Sequence, residues 1–390
     1  MNQGTLTPSS LGAIIRNGGI LPLFCIQRPD VTSLDDFINP TANQHFVSRS
    51  EQRLNSCSKD TKSKKAEIYR FSIVDSKKPI IRLEGKTQIW RNLGFQDLFT
   101  FMRTGEKDRL NFERLFEPHE APYPEHVSSL LAMINEVRGR LDKQPKIHLK
   151  DLEGFDFERF LGHVKFIYTY KTMNWLRNPY KIKEVLKRFD TFLDHSLDKP
   201  GAHSLYLALA KKNSSEEAYI CKTYGVSSKE YQQWIRLLLL FLYVDRYDDE
   251  SQLDGFINEF FIAPEFSTTI FVAVFDERCA LLTDTGVVKD SGNGPLTYMN
   301  VSKNCIVALE HAFVDITLDR VIREYGFDES VREQIRTRIA TGVNAVLTVN
   351  SYELLGGYNN ICVKAAALEV FCATPDVHGV QVLKSEQERK

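Results

Sequence analysis

The amino-acid sequence predicts an α+β fold, with a small N-terminal antiparallel sheet, a helical middle layer and a mixed α/β part at the C-terminus. Three patterns support this prediction. Apolar side chains alternate between Glu67 and Val74, which is typical of a strand. Between Phe157 and Tyr168 apolar residues recur every three or four positions, which indicates an amphipathic helix. The continuous apolar run Thr268–Phe275 predicts a strand buried on both faces.

The first 150 residues are predicted to contain the small sheet and a set of helices. Residues 1–40 are expected to form an irregular entry segment, because turn-forming residues interrupt them. Segments Pro79–Glu84 and Thr87–Trp90 are predicted to pair with the strand at Glu67–Val74 in an antiparallel sheet. Residues 92–143 are predicted to be helical, with interruptions at three prolines. These are Pro118, Pro122 and Pro124.

The middle third is predicted to be helical throughout. Its first helix should stop or kink at Pro179, because proline lacks an N–H donor and clashes with the preceding turn. A second helix is predicted over residues 182–193, and a third over about 229–247. The acidic segment Asp248–Ser251 is expected to be an exposed connection that ends this layer.

The last third is predicted to mix strands and helices. Cys279–Thr283 and Asn304–Leu309 are strand candidates, and Val377–Leu383 is a candidate closing strand. Ser330 and Glu333 have the spacing of a capping box, which predicts a helix through about residue 350. The chain is therefore divided into four consecutive parts: an entry segment 1–40, a basic β-containing part 41–150, a helical layer 151–250 and an acidic α+β part 251–390.

The composition excludes several classes of protein. The chain has 390 residues, of which 43% are hydrophobic and 26% charged, so it is neither disordered nor a small disulfide scaffold. Its seven cysteines include no Cys-x-x-Cys pair, which favours reduced thiols in a cytoplasmic protein. No signal peptide is expected. The longest apolar stretch, Leu237–Val244, is too short to span a bilayer, which takes about 20 residues.

Charge is distributed unevenly along the chain, with net values of +6 over residues 1–150, −1 over 151–255 and −6 over 256–390. Within residues 59–91 there are ten basic and four acidic side chains. Such an excess can attract a phosphate backbone, although a solvated surface loop explains it equally well. The candidate nucleic-acid-binding residues are Lys62, Lys64, Lys65, Arg70, Lys77, Lys78 and Arg82.

Two further groups of residues could carry chemistry. His45 lies close to Arg49, and such a pair could supply a general base and a phosphate clamp, or the histidine could simply hydrogen-bond within a loop. Carboxylates and imidazoles cluster at residues 117–126 and are potential metal ligands, but the prolines among them argue against a regular helical display. A divalent metal such as Mg²⁺ or Mn²⁺ is therefore a candidate cofactor without an assigned site.

Asp284 follows a predicted buried strand and precedes the turn Thr285-Gly286. An unpaired buried carboxylate is costly, so a partner is expected. The carboxylate could accept backbone N–H groups of that turn or pair with an arginine. Alternatively, it could face a pocket that contains His45 or Arg177.

Four segments of the chain resemble a mainly bacterial family catalogued as domain of unknown function 4238. The segments are Gln44-His45-Phe46-Val47, where Ser48 replaces the family's proline; Arg177-Asn178-Pro179; Thr283-Asp284-Thr285-Gly286 together with Pro295-Leu296; and the positions Asn344 and Ser351. The resemblance implies a shared fold. It also implies candidate catalytic residues, namely His45, Arg177, Asp284 and Asn344, which together would suit phosphodiester cleavage or nucleotide binding.

Two functional hypotheses follow from these observations. The first is a nucleic-acid-acting protein, such as a nuclease or toxin of bacterial phage defence, whose partner is DNA or RNA. The second is a non-catalytic binding or sensor module, in which the same polar residues tie structural elements together. Both hypotheses predict a cytoplasmic protein without membrane contact, and neither predicts an oligomeric state.

Overall fold

The structure is a computed structural model, and it describes most of the chain. The described ranges are 34–102, 109–140, 146–197, 202–203, 206–207, 214–245, 250–289, 296–340 and 343–384. Much of the predicted entry segment, Pro295 and part of the predicted connection at 248–251 lie outside these ranges. Within them, no helix is both long enough and apolar enough to cross a membrane.

Fifteen strands are defined in the described part of the chain. They are β1 Asn43–His45, β2 Glu67–Asp75, β3 Ile80–Gln88, β4 Gly94–Gln96, β5 Thr100–Met102, β6 Arg109–Asn111, β7 Ile147–His148, β8 Phe266–Val274, β9 Leu282–Thr283, β10 Val287–Lys289, β11 Leu296–Ser302, β12 Cys305–Phe313, β13 Asn344–Val349, β14 Glu369–Cys372 and β15 Gln381–Leu383.

The helices occur between these strands and cover a large part of the middle of the chain. The α-helices are α1 Arg49–Leu54, α2 Glu113–Glu120, α3 Tyr123–Arg138, α4 Phe157–Leu176, α5 Ile182–Arg188, α6 Ser214–Tyr224, α7 Ser228–Leu242, α8 Gln252–Ile262, α9 Val314–Tyr325, α10 Arg332–Ala340 and α11 Tyr352–Ala365. The fold is α+β, as the sequence predicts.

The chain forms two compact units, each assembled from separated segments. The first unit comprises the described parts of Met1–Ala42, Asp97–Pro118 and Pro179–Phe256, and the second comprises those of Asn43–Gln96, His119–Asn178 and Ile257–Lys390. The four consecutive parts drawn from the sequence do not follow this division. Charge and periodicity change along the chain, whereas compact units depend on which segments pack together.

Aromatic side chains hold the first unit together. The ring centroids of Phe37 and Tyr243 are 5.8 Å apart, and those of Phe189 and Phe241 are 4.7 Å apart. The buried face of α7 supplies Trp234, whose ring lies 5.5 Å from that of Phe99. Such aromatic pairs bury a large apolar area and add a specific packing geometry.

The second unit contains a six-stranded sheet with the order β10-β11-β12-β8-β13-β7. Strand β8 pairs antiparallel with β12 and parallel with β13, so it is an interior strand. The strand predicted at Thr268–Phe275 is confirmed: Ile270 and Val272 are buried on one face, whereas on the other face Ala273 is buried and Phe271 only half-buried.

The second unit also contains a five-stranded sheet with the order β15-β3-β2-β14-β9. Its core face includes the predicted stripe Tyr69, Phe71 and Ile73, packed against Leu355 and Tyr358 of α11. The predicted segments Pro79–Glu84 and Thr87–Trp90 form largely one strand, β3, which pairs antiparallel with β2 as expected.

Helix α4 carries the amphipathic stripe that the sequence predicts. The side chain of Asp156 accepts the backbone N–H of Arg159 and caps the first turn. The helix ends at Leu176, two residues before Asn178-Pro179, because a residue that precedes proline disfavours the helical conformation. This ending places Arg177 at the C-cap, inside the second unit.

Two helical predictions are wrong in part. Residues 92–143 include the short strands β4, β5, β6 before α2 and α3 begin. Pro118 lies inside α2, and Pro124 is accommodated in the first turn of α3, where its missing N–H is not needed. The helix predicted from Ser330 ends at Ala340, and the chain continues as β13.

Candidate functional site

His45 is the last residue of β1, which pairs antiparallel with β4. A Cβ at Gly94 would lie 2.5 Å from Oδ1 of Asn43, so a larger residue at position 94 would force the Asn43 side chain to move. The pairing holds the His45 backbone in place and directs its imidazole into the second unit, where only 7% of the residue is exposed.

The imidazole of His45 is neutral near pH 7. Burial is the largest cause that lowers its pKa to about 4, and the charges of Arg49 and Arg177 lower it further. Hydrogen bonds to the backbone of Trp90 and Asn43 oppose this shift. Among the described residues, Nε2 of His45 has no hydrogen-bond partner. This buried atom is the part of the neutral imidazole that could accept a proton.

The segment after His45 turns into helix α1. Ser48 is the N-cap, and its hydroxyl accepts the backbone N–H of Glu51 at 3.2 Å. The same hydroxyl is hydrogen-bonded to the phenol of Tyr170 on α4. Serine thus has a definite role where the family that this chain resembles has proline.

Helix α1 brings the carboxylate of Glu51 against the last turns of α4. Oε1 of Glu51 accepts from the ammonium group of Lys171, and Oε2 accepts from Nδ2 of Asn174 at 2.8 Å. All three side chains are fully buried. Burial lowers the pKa of Lys171, and the charge of Glu51 opposes that shift.

Arg177 continues the polar face of α4, since it lies three residues beyond Asn174. Its guanidinium group is buried and pairs with Glu120 at the end of α2. The side chain of Glu120 is 27% exposed, so this ion pair lies between the interior and solvent. The charge of Arg177 lowers the pKa of His45, so the cation favours the neutral imidazole within the same unit.

These side chains form one group, which we call the buried polar centre. Its members are His45, Ser48, Glu51, Glu120, Tyr170, Lys171, Asn174 and Arg177. Two of them, His45 and Arg177, were identified from the sequence. The spacing Ser48-x-x-Glu51 could have indicated the start of α1. No sequence signal distinguishes Lys171 from the exposed lysines around it.

The carboxylate of Asp284 is hydrogen-bonded to backbone N–H groups, which is the structural role considered for it, rather than the role of a pocket residue. It accepts the N–H groups of Ala367, Leu368 and Glu369 at 2.7–2.9 Å, where the chain enters β14. The backbone N–H groups of Thr285 and Gly286 were expected to donate to Asp284. They donate to Thr283 instead. Burial is the largest influence on the pKa of Asp284 and raises it, and the three N–H donors oppose that rise.

Asp284 is nevertheless connected to the end of α4. Its backbone oxygen accepts Nδ2 of Asn178 at 2.7 Å, and Asn178 directly follows Arg177 in the chain. Asn344 lies elsewhere: it is exposed, is the first residue of β13 and pairs with Thr269 of β8. Of the four candidate catalytic residues, the structure places His45 and Arg177 in the buried polar centre, links Asp284 to it through the backbone and leaves Asn344 outside.

The candidate nucleic-acid-binding residues form separate groups. Lys62, Lys64 and Lys65 are exposed in the loop before β2. The loop is shaped by its own side chains, since Asp60 accepts the N–H of Lys62 and Ser63 accepts that of Lys65. Their ammonium groups are therefore presented on a defined turn.

The other basic residues lie along or beyond β2. Lys77 and Lys78 are exposed in the turn after β2, and Asp75 accepts both of their N–H groups. Nine residues of strand separate this turn from the first loop, about 26 Å at roughly 3.3 Å per residue. Arg70 pairs with Glu369 at 3.7 Å.

Arg82 lies on β3 and is exposed, opposite Ser72 of β2. The hydroxyl of Ser72 donates to Glu84 at 2.5 Å, so an acidic side chain is present on the same face. This face of the sheet carries both signs of charge. The loop with Lys62, Lys64 and Lys65 is therefore the strongest candidate for a phosphate contact.

No metal site was identified in the described ranges: no group of three or more His, Cys, Asp or Glu side chains there has a metal-binding arrangement. Two of the carboxylates and imidazoles at residues 117–126 are used in other contacts. Glu120 pairs with Arg177, and the Nδ1 atoms of His126 and His163 are 3.1 Å apart.

A scan against models of known protein families finds no match for this chain. Searches among curated proteins and among solved structures return no significant match either. The resemblance to domain of unknown function 4238 therefore stays a prediction.

Proposed function

We propose that this protein acts on nucleic acid and cleaves a phosphodiester bond at His45 and Arg177. The observation that supports this proposal is that a neutral imidazole, whose Nε2 has no hydrogen-bond partner among the described residues, lies in the same unit as the buried Arg177 guanidinium, whose charge lowers the pKa of that imidazole. Phosphodiester hydrolysis is accelerated by a general base that accepts a proton from the nucleophile and by a cation that stabilises the negative charge of the transition state.

Each residue has a distinct part in the proposed reaction. An attacking water gives a proton to Nε2 of His45, which later returns it to solvent, while the water oxygen forms a bond to phosphorus. Arg177 binds the non-bridging oxygens, whose negative charge grows in the transition state, and Glu120 holds the guanidinium in position. The bond to the leaving oxygen then breaks, and that oxygen takes a proton from solvent.

Access would come from the side of Glu120, where the centre meets solvent. A phosphate that enters there competes with the Glu120 carboxylate for Arg177. The exposed loop with Lys62, Lys64 and Lys65 would hold the flanking nucleic-acid backbone. We place this activity in the cytoplasm, in keeping with the absence of Cys-x-x-Cys pairs, and in the context of bacterial phage defence.

The test is cleavage of DNA, RNA and tRNA by the purified protein, with and without Mg²⁺ or Mn²⁺. We expect the wild-type protein to cleave one of these substrates and His45→Gln to lose cleavage while keeping its melting temperature within a few degrees. Asn344→Ala is the matched control, because Asn344 is exposed and outside the buried polar centre, and it should keep full activity. Equal cleavage by His45→Gln, or none by the wild type, contradicts the proposal.

The alternative is a non-catalytic binding or sensor module. One observation favours it: both oxygens of Glu51 are used by buried partners, and the Asp284 carboxylate is used by three backbone N–H groups. In that case the polar residues only fix α1, α4 and the sheet in place. Nucleic-acid binding without cleavage in the same assay, unaffected by His45→Gln, would support this alternative.

A further inference from the structure

Two cysteine side chains in the second unit lie next to each other. The thiols of Cys279 and Cys372 influence each other's pKa, and the hydroxyl of Thr374 lies 3.5 Å from Sγ of Cys372. Cys279 is half-buried in the loop before β9, while Cys372 is fully buried at the end of β14. None of the six cysteines within the described ranges forms a disulfide.

Backbone contacts hold this pair in place. The register of β14 with β9 sets Phe371 opposite Leu282, so the strands bring Cys372 towards the loop that contains Cys279. The N–H of Ala280 donates to the oxygen of Lys303 at 2.8 Å, which fixes the loop against the turn between β11 and β12. Both cysteines also belong to the same packed core cluster.

We propose that Cys279 and Cys372 form a reversible, peroxide-sensitive disulfide, with Cys279 as the reacting thiol and Cys372 as the resolving thiol. In the first step the sulfur of Cys279 attacks a peroxide oxygen, the O–O bond breaks and hydroxide leaves, which gives a sulfenic acid. In the second step the sulfur of Cys372 attacks the sulfur of Cys279. An S–S bond forms, the S–O bond breaks and the leaving hydroxide takes the proton of Cys372 to become water. The two thiols together give two electrons to the peroxide, and an external thiol can reverse the change.

The electrostatics of the pair assign the two roles. The hydrogen bond from Cys372 is the largest cause that lowers the pKa of Cys279 to about 7, and the charge of Lys303 lowers it further, against burial. About half of Cys279 is then thiolate at pH 7, compared with about 3% for an ordinary cysteine of pKa about 8.5. The pKa of Cys372 is raised by the same hydrogen bond and by burial, so it stays protonated until it attacks.

Three other thiols differ from Cys279 in their pKa. Burial raises the pKa of Cys305 and of Cys362 to about 12. The Cys57 thiol donates to the backbone oxygen of Glu67, and burial raises its pKa as well. Cys57→Ser is therefore a matched control for a half-buried thiol that is not part of the pair.

The experiment uses the full chain with Cys25, which lies outside the described residues, replaced by serine. The protein is treated with hydrogen peroxide in small molar excess, digested without reduction and analysed by mass spectrometry. We expect a cross-linked peptide that joins Cys279 to Cys372, two hydrogen atoms lighter than the sum of its parts and absent after treatment with dithiothreitol. Alkylation of Cys279 should be half-maximal near pH 7.

Variants separate the two roles. Cys372→Ala should abolish the cross-link, leave a sulfenic acid on Cys279 that dimedone traps and raise the alkylation midpoint towards pH 8.5. Cys57→Ser should leave the cross-link and the midpoint unchanged. The proposal is overturned if Cys279 is oxidised to the sulfinic acid without a cross-link, if it pairs with another cysteine, or if its alkylation midpoint is that of an ordinary thiol.

Discussion

The ammonium group of Lys171 on α4 donates to Oε1 of Glu51 on α1, and solvent reaches neither side chain. Removing two charges from water costs several kcal/mol per ion, which their attraction offsets only when the geometry is good and the remaining atoms are hydrogen-bonded. Asn174 meets part of this requirement by donating to Oε2. The pair therefore fixes how α1 meets α4, and this contact positions Ser48 and Arg177.

Replacing one partner should be strongly destabilising. We expect Lys171→Met to lower the free energy of unfolding by about 3–5 kcal/mol, because Glu51 is then left as a buried charge without its cation. Urea denaturation measures this loss. Lys181→Met, which removes a more exposed ion pair with Glu184, is the control and should cost less than about 1 kcal/mol. A loss for Lys171→Met as small as that of the control would show that the pair is not closed to solvent.

The Asp284 carboxylate should prove to be structural. Asp284→Asn leaves one oxygen for three N–H donors and adds an amide that faces them, so we expect a loss of about 3 kcal/mol in the free energy of unfolding. Asp376→Asn, an exposed acid near the same strand, should change stability by at most about 0.5 kcal/mol. Should Asp284→Asn keep its stability and lose cleavage instead, Asp284 belongs to the reacting groups.

The low pKa of His45 predicts how stability changes with pH. The folded protein binds this proton more weakly than the unfolded chain, whose histidine has a pKa of 6.5, so the stability due to neutral His45 is complete above pH 6.5 and falls as the pH drops towards 4. When the pH is lowered from 7 to 4.5, the free energy of unfolding should fall by about 2–3 kcal/mol less in His45→Gln than in the wild type, as measured by urea denaturation. Parallel curves for the two proteins would mean that His45 is accessible to solvent when folded.

The lysine loop should determine the salt dependence of nucleic-acid binding. Replacing Lys62, Lys64 and Lys65 with Gln should reduce the log–log slope of affinity against salt by about 2 on single-stranded substrates, since each phosphate contact contributes about 0.7. Fluorescence anisotropy at several salt concentrations measures the slope.

The control for this measurement lies in the first unit. Lys183, Lys187 and Arg188 are exposed on α5, and their replacement by Gln removes the same charge. The control slope should equal that of the wild type. Equal slopes for both triple variants would identify the loop as an ordinary solvated turn.

The spacing of apolar residues predicted the elements whose own sequence carries a clear pattern, such as β2, α4 and β8. It failed for β4 and β13, because short strands form through pairing with distant partners: β4 with β1, and β13 with β8. The same limit applies to the site. His45 and Arg177 stood out through a motif, but Glu51 and Lys171 look like surface residues until α1 packs against α4. Asn344 was misplaced together with the helix that was predicted around it.

The pairing of β2 with β14 has a consequence for the newly made chain. Ser72 lies opposite Glu369, so roughly 300 residues must be synthesised after β2 before its neighbour exists. At about 5–20 residues per second, this takes on the order of 15–60 s on the ribosome. Through that interval the β2–β3 hairpin has an open edge that can pair with other nascent chains. We therefore expect this hairpin to be the segment that molecular chaperones protect during translation.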